Sequence, residues 1–446
     1  MCAFSIRERM MRRFSKAASV VLMRFTLRAK VNGASKTLRC KVTILVTLNE
    51  TGLAVCYNYY KLIEVNHSAS VLRNTTHHLG RSWCAGVLCA AVLLPGMAAG
   101  ADPTAEQQYL LELTNRFRMD PQGELANLVN FSSPGVWDGT KSNDPSIAYA
   151  LNFFGTSASD LAAQFSSLVA APPLAWNSAL NVSATNYSNL MVTADQQAHS
   201  LDGISLDQRI QNGGYGANWL NVGENLFATA QSPLHAHAGF VIDWGDGNGA
   251  TAGYGNGIQN PAGHRDLLLN SSMKEIGIGF QDISIPGTNA TATGPYVITE
   301  HLASQFRYDG INYISDAILT GSVFQDTILA DAFYTPGEGL AGRAINVYND
   351  TSGILVASGF SNSAGGYNIT LIGLTDGTVY RVEAPDTGLA AQTFILTEHT
   401  DNYGVPVLVY DNVYESFVVV PEPGSLLLSL IAGLSLLGFR SRRFLC

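Results

Sequence analysis

The sequence predicts an α+β fold followed by a smaller all-β domain, and three observations predict it. Across 104–117 and 178–194, apolar residues recur at spacings of three and four, the pattern of helices buried on one face. Ile276-Gly277-Ile278-Gly279-Phe280 and Tyr296-Val297-Ile298-Thr299 alternate as strands of a small sheet do. From about 317 onward the chain breaks into short β-rich runs divided by turn residues. Helices placed before and between strands imply a layered α+β domain.

Charge and cysteine divide the chain before any element is placed. Residues 1–80 hold 13 of the 26 Lys+Arg and three acids, Glu8, Glu50 and Glu64. Residues 102–420 hold nine Lys+Arg against 31 Asp+Glu. That acidic body repels phosphate and argues against nucleic acid as a partner. All six cysteines fall outside it, at Cys2, Cys40, Cys56, Cys84, Cys89 and Cys446, so the body has no disulfides and must rest on its core. The basic leader, 1–80, shows no helical or strand period. It reads as an over-extended gene model with a true start near 70–80, or as a genuine leader. Residues 81–101 read as a signal peptide: Arg81, an apolar run from Cys84 to Leu94, then an Ala99-x-Ala101 cleavage site.

The elements then follow in order. Thr104 to Phe117 is expected to be a helix with Tyr109, Leu110, Leu113 and Phe117 on its apolar side, capped by Asp102 or Thr104 and ended by Asp120-Pro121. Residues 132–171 are rich in Ser, Gly, Asp and Pro and read as an insertion with short helical pieces. A helix from Ser178 to about Ala194 has Leu180, Ala184, Tyr187 and Met191 on one face. Leu226 to Ile242 reads as a third helix broken by Pro233, followed by a Gly/Asn-rich loop from Gly245 to Gly257.

Three polar residues stand out among these elements. His199, Glu224 and His264 each sit among glycines and other polar residues, which suggests one polar cleft. Two imidazoles and a carboxylate can hold a divalent metal, activate water or grip a polar ligand. Arg209 reads as a structural partner of Asp202 or Asp207. His235 and His237, two residues apart, read as surface residues. Asp246-Gly247-Asn248-Gly249 has the start of a calcium loop, but Gly257 stands where the twelfth-position acid belongs. The body contains no Gly-x-Ser-x-Gly elbow, His-Glu-x-x-His or P-loop.

The ordered set His199 to Gly203, Arg209-Ile210, Gly214-Tyr215, Gly223-Glu224-Asn225, Gly263-His264-Arg265 and Ile276 to Gly279 resembles the CAP superfamily (cysteine-rich secretory, antigen-5 and pathogenesis-related-1 proteins) over about 102–306. The resemblance implies a three-layer α-β-α sandwich and a cleft with two His and two acids. His199, Glu224 and His264 take three of those places and would be its metal ligands, zinc being the expected ion. Asp243 and Asp246 both lie near the fourth place, and Asp246 is the choice made here.

A linker at 307–316 leads to a β-sandwich expected at 317–418. Its strands are placed at Leu319–Phe324, Ala344–Tyr348, Ile354–Ser358, Gly366–Leu371 and Val379–Ala384. Gly321-x-Val323-Phe324-x-Asp326 and Tyr334 to Gly342 resemble the B-like repeats of bacterial surface adhesins, whose acidic loop binds calcium. Asp326, Asp331 and Glu338 are the corresponding acids, although Ile328 and Leu329 occupy places that want oxygen ligands. A spacer is the expected role.

The C-terminus, 419–446, resembles the PEP-CTERM sorting signal. Pro421-Glu422-Pro423 precedes an apolar run at 426–439 and the cluster Arg440-Ser441-Arg442-Arg443. The run is shorter than the roughly 20 residues of a comfortable span. The resemblance implies transient passage through the membrane at 426–439, processing by an exosortase-type protease, and release to the cell surface or extracellular matrix. Three functions are compatible with the sequence: a binding module with a polar or lipid ligand, a metal-assisted hydrolase with Glu224 as base, and a structural matrix protein with a vestigial cleft.

Overall fold

The computed structural model describes residues 20–32, 35–47, 54–65, 102–131, 142–245, 256–284 and 290–420, the first three segments as backbone alone. The expected signal peptide, Asp246 and the tail from Pro421 lie outside the described residues. The chain divides into two compact units, Met1–Leu94 and Pro95–Cys446. Among the described residues no helix is long and apolar enough to cross a membrane.

In the first unit β1 (Val20–Asn32), β2 (Ser35–Thr47) and β3 (Ala54–Val65) form an antiparallel meander. This departs from the expectation of an unpatterned leader. Met23, Phe25, Leu27, Ala29 and Val31 alternate with Arg24, Thr26, Arg28 and Lys30, a period of two that the basic composition obscures.

The second unit opens with α1 (Ala105–Met119), whose Thr104 and Gln107 make a reciprocal capping box. Asp120 ends it and caps α2 (Pro121–Leu128), with Pro121 in the first turn, where a missing N–H costs nothing. The 132–171 region carries α3 (Pro145–Phe154) and α4 (Ala158–Ser166). Then come β4 (Ala175–Trp176), α5 (Ser178–Ala194) capped by Asn177, and α6 (Leu206–Asn212). The expected third helix is two elements: β5 (Trp219–Ala230) and α7 (Pro233–Ile242). Ser232 caps α7 and Pro233 starts it, so the helix cannot extend back to Leu226. Next are α8 (Gly263–Leu268), β6 (Glu275–Asp282) and β7 (Tyr296–Gln305).

These strands make one sheet, ordered β4-β6-β7-β5, with β5 at an edge. The Ile-Gly-Ile-Gly run explains its layers. Ile276 and Ile278 are fully buried in the main core with Leu110, Phe117 and Phe240 from α1 and α7. Gly277 and Gly279 turn to the other face and meet α5. A Cβ on Gly277 would lie 2.0 Å from the Asn181 nitrogen, and one on Gly279 2.3 Å from the Ala184 oxygen. Helices therefore cover both faces, as the three-layer expectation has it.

The remaining strands are β8 (Arg307–Tyr308), β9 (Tyr313–Ser315), β10 (Ala317–Gln325), β11 (Ala344–Asn349), β12 (Leu355–Phe360), β13 (Gly366–Leu371), β14 (Val379–Glu383), β15 (Gln392–Ile395), β16 (Glu398–Asn402), β17 (Pro406–Tyr410), β18 (Val413–Tyr414) and β19 (Phe417–Val419). They form three sheets: β13-β10-β18 with β19 also on β10, β12-β11-β14-β15, and β16-β17-β9-β8. Leu319, Val323, Val347, Tyr367, Val382 and Phe417 share its core. The segment expected as a linker contributes β8 and β9 to the last of these sheets.

Buried polar contacts join the two parts. Lys274, 5% exposed, donates from Nζ to the carbonyls of Ser315 (3.2 Å), Asp316 (2.6 Å) and Tyr410 (2.5 Å). Burial pulls its pKa down to about 8 against the opposing pull of Glu275, Asp411 and Asp316. Asn412 Nδ2 donates to the carbonyls of Pro173 (3.0 Å) and Lys274 (2.7 Å), and the Tyr414 hydroxyl donates to buried Glu112.

Two substitutions test this packing. Gly277→Ala forces a Cβ into α5 backbone and is expected to cost about 2 kcal/mol, read as a lower denaturation midpoint. Lys274→Met strips three carbonyls of their shared donor and is expected to cost about 3 kcal/mol by the same measurement.

Candidate functional site

Glu224 lies within β5 directly opposite His301 on β7, and both face the α5 side of the sheet. Its carboxylate has three partners. Oε1 meets His199 Nδ1 at 2.7 Å, while Oε2 meets His301 Nε2 at 2.8 Å and also accepts from Arg209 Nη1. Burial works to raise the Glu224 pKa, but the hydrogen bonds of His199 and His301, with the charges of His301 and Arg209, outweigh it and bring it down to about 2.

Arg209, on α6, holds the surrounding chain in place. Nε and Nη2 grip Asp202 at 2.7 and 2.9 Å, and Nη2 also donates to the His199 carbonyl at 3.0 Å. Its guanidinium lies 3.7 Å from the centre of the Tyr187 ring of α5. Of the two partners expected from sequence, Asp202 is the one used. The His199 side chain stays 63% exposed although its carboxylate partner is only 5% exposed.

His264 is anchored differently. It follows Gly263 at the start of α8, and its Nδ1 meets Asp243 Oδ1 at 2.7 Å, while Asp243 Oδ2 accepts its backbone N–H at 2.9 Å. Asp243 is fully buried, whereas the His264 side chain is 24% exposed. Asn225, next after Glu224, donates weakly to the His264 carbonyl at 3.5 Å. A Cβ at Gly223 would meet the end of the Leu267 side chain of α8 at 2.4 Å. The structure thus brings His199 and Glu224 together and gives His264 its own carboxylate, the two pairs flanking edge strand β5.

Of the two acids weighed for the fourth place, Asp243 is the one paired with His264, and Asp246 lies outside the described residues. Among the described residues no group of three or more His, Cys, Asp and Glu is arranged to hold a metal ion. Glu224 fits such a role poorly, since its oxygens already face two imidazoles and a guanidinium. Each of the His199 and His264 rings is instead held through Nδ1 by a carboxylate.

Sequence reasoning missed His301 and Glu300. The signal was present: adjacent ionisable residues in a β-prone run, Val297 to Leu302. Glu300 is fully buried on the opposite face, where Oε2 accepts from Asn225 Nδ2 at 3.0 Å and Oε1 has no partner. Burial raises its pKa to about 7, opposed by the Asn225 hydrogen bond and the charge of His264. The expectation of surface histidines at 235 and 237 is also corrected. α7 is buried on most sides, and His237 Nε2 meets Glu124 at 2.9 Å with both side chains fully buried. His235, 7% exposed, accepts the Gln231 N–H at 3.2 Å.

The Glu300 carboxyl carries a pH signature. A folded pKa above the ordinary 4.5 means the native state holds the proton more tightly, so stability falls as pH rises from there through about 7. Glu300→Gln is expected to flatten the pH dependence of the thermal midpoint across that window.

Comparison with known proteins follows the same segment. Residues 111–284 match the model of the family described as CAP, the cysteine-rich secretory protein family. No curated protein matches the chain. Among solved structures it is similar to an extracellular protein containing a SCP domain from Bacillus anthracis str. Ames, with 22% identity over 30% of this chain and 34% of that one, at a TM-score of 0.21. The matched region thus spans about a third of that relative. His301 and Glu300 fall beyond the family match, which begins in α1 and ends just past β6. Residues 111–284 of this chain carry a CAP domain.

Proposed function

We propose that this chain is an exported bacterial surface or extracellular-matrix protein whose CAP domain binds a polar or lipid ligand through His199 and His264. One observation carries the reading. Two partly exposed imidazoles each have Nδ1 held by a nearly or fully buried carboxylate. A neutral ring that donates from Nδ1 to such a carboxylate presents Nε2 as an acceptor or a metal ligand. His199 and His264 would be the nitrogen donors to a divalent metal such as zinc, which would supply Lewis acidity, while Glu224 and Asp243 orient the rings.

The hydrolase with Glu224 as general base is the weaker reading. A carboxylate with a pKa of about 2 beside a guanidinium takes up a proton poorly near neutral pH. Export rests on the signal-like segment at 81–101 and the sorting tail from 419. In this reading the apolar run 426–439 sits transiently in the membrane, and an exosortase-type protease cuts near Pro421. The all-β part serves as a sandwich-type spacer.

Metal analysis, together with screens for lipid and polar ligand binding and for peptide cleavage, tests this reading on the purified chain. His199→Ala and His264→Ala are each expected to weaken metal or ligand binding by about 10-fold or more. Unchanged binding in both variants would leave the cleft vestigial, and turnover lost in Glu224→Gln would favour the hydrolase.

A further inference from the structure

The loop joining β10 to β11 contains Asp326, Asp331 and Glu338, the acids that would be calcium ligands in a B-like repeat. Here their oxygens face backbone donors. Glu338, 3% exposed, accepts at Oε1 from the N–H groups of Thr327 (2.9 Å), Ile328 (2.7 Å) and Leu329 (3.3 Å), and at Oε2 from that of Thr335 (2.9 Å). Asp326, 8% exposed, accepts from Asp331 N (3.2 Å) and Ala332 N (3.1 Å). Asp331 Oδ1 accepts from Phe333 N at 3.0 Å.

A calcium ion needs oxygen lone pairs converging on one point. These lone pairs converge instead on N–H groups, whose positive ends would repel a cation placed among them. Ile328 and Leu329, which stand where ligands are wanted, offer exposed apolar side chains. The residues of this loop do not fit calcium.

We propose that loop 326–338 is a metal-independent clamp in which two carboxylates organise the chain by gathering its own N–H groups. Their pull has a backbone consequence. Ala332 adopts φ 60°, a left-handed conformation that side chains disfavour, and its N–H is pinned by Asp326. The next residue, Phe333, is delivered onto α1. Its ring lies 4.0 Å from the Arg116 guanidinium and 6.1 Å from the Tyr109 ring in an edge arrangement. Tyr334 turns inward and packs on Phe324. The loop thus fastens the all-β part to the first helix without a bound ion.

Hydrogen exchange on the full chain tests the proposal. The amides of Thr327, Ile328, Leu329 and Thr335 should be protected equally in chelator and in excess calcium. Glu338→Gln should speed their exchange roughly ten-fold in both conditions, as loss of charge-assisted hydrogen bonds requires. Protection that rises with calcium in the unaltered chain would overturn the proposal, and so would unchanged exchange in folded Glu338→Gln. The calcium comparison on the unaltered chain decides the matter even if that variant does not fold.

Discussion

The Glu224–Arg209 contact is the constraint on which the candidate site depends. A carboxylate inside an edge strand would be costly to bury alone, and a guanidinium six per cent exposed on a short helix equally so. Each makes the other tolerable, and neither stops at one partner. Arg209 also grips Asp202 and the His199 carbonyl, which fixes the chain between α5 and α6 against the sheet. Glu224 also holds the His199 and His301 rings. The orientation of the two rings and the path of the 199–209 segment follow from this pair of charges and its further partners.

Elements with a clean period were legible from the residues. α1, α5, β6 and β7 lie where their apolar spacing puts them, because each buries one regular face. β5 was not legible. Its interior contains Glu224 and Asn225, polar residues that a half-buried strand conceals only when partners arrive from elsewhere. One partner, His301, is 77 residues away and comes into register only through the sheet. Asp243 and Asp246 were indistinguishable for a related reason. The choice depends on where α7 stops, and Asp243 stops it in a left-handed turn at φ 57° that no spacing rule marks. His237 was misread because its partner, Glu124, belongs to a helix 113 residues earlier.

The acidic composition of the body takes on a more specific meaning once partners are known. Its carboxylates do three kinds of work. Glu224 and Asp243 orient imidazoles. Glu112 binds across the two parts of the fold, while Glu275 takes hydrogen bonds from Asn177 (2.7 Å) and Tyr215 (2.6 Å). Asp326 and Glu338 collect backbone donors in a loop. A body that contains no cysteine thereby gains directional cross-links of its own.

Asp243 has one more consequence. It closes α7 with its backbone and opens α8 with its side chain, and the strands of chain leaving it are joined by the Gln259 N–H to the Asp243 carbonyl (2.7 Å) and the Gly245 N–H to the Gly257 carbonyl (3.1 Å). Gly245 and Gly257 are therefore held side by side. The carboxylate that aims the His264 ring thus sits on a residue whose backbone is bonded both to α7 and to Gln259, so the aim is set by the fold on either side of it.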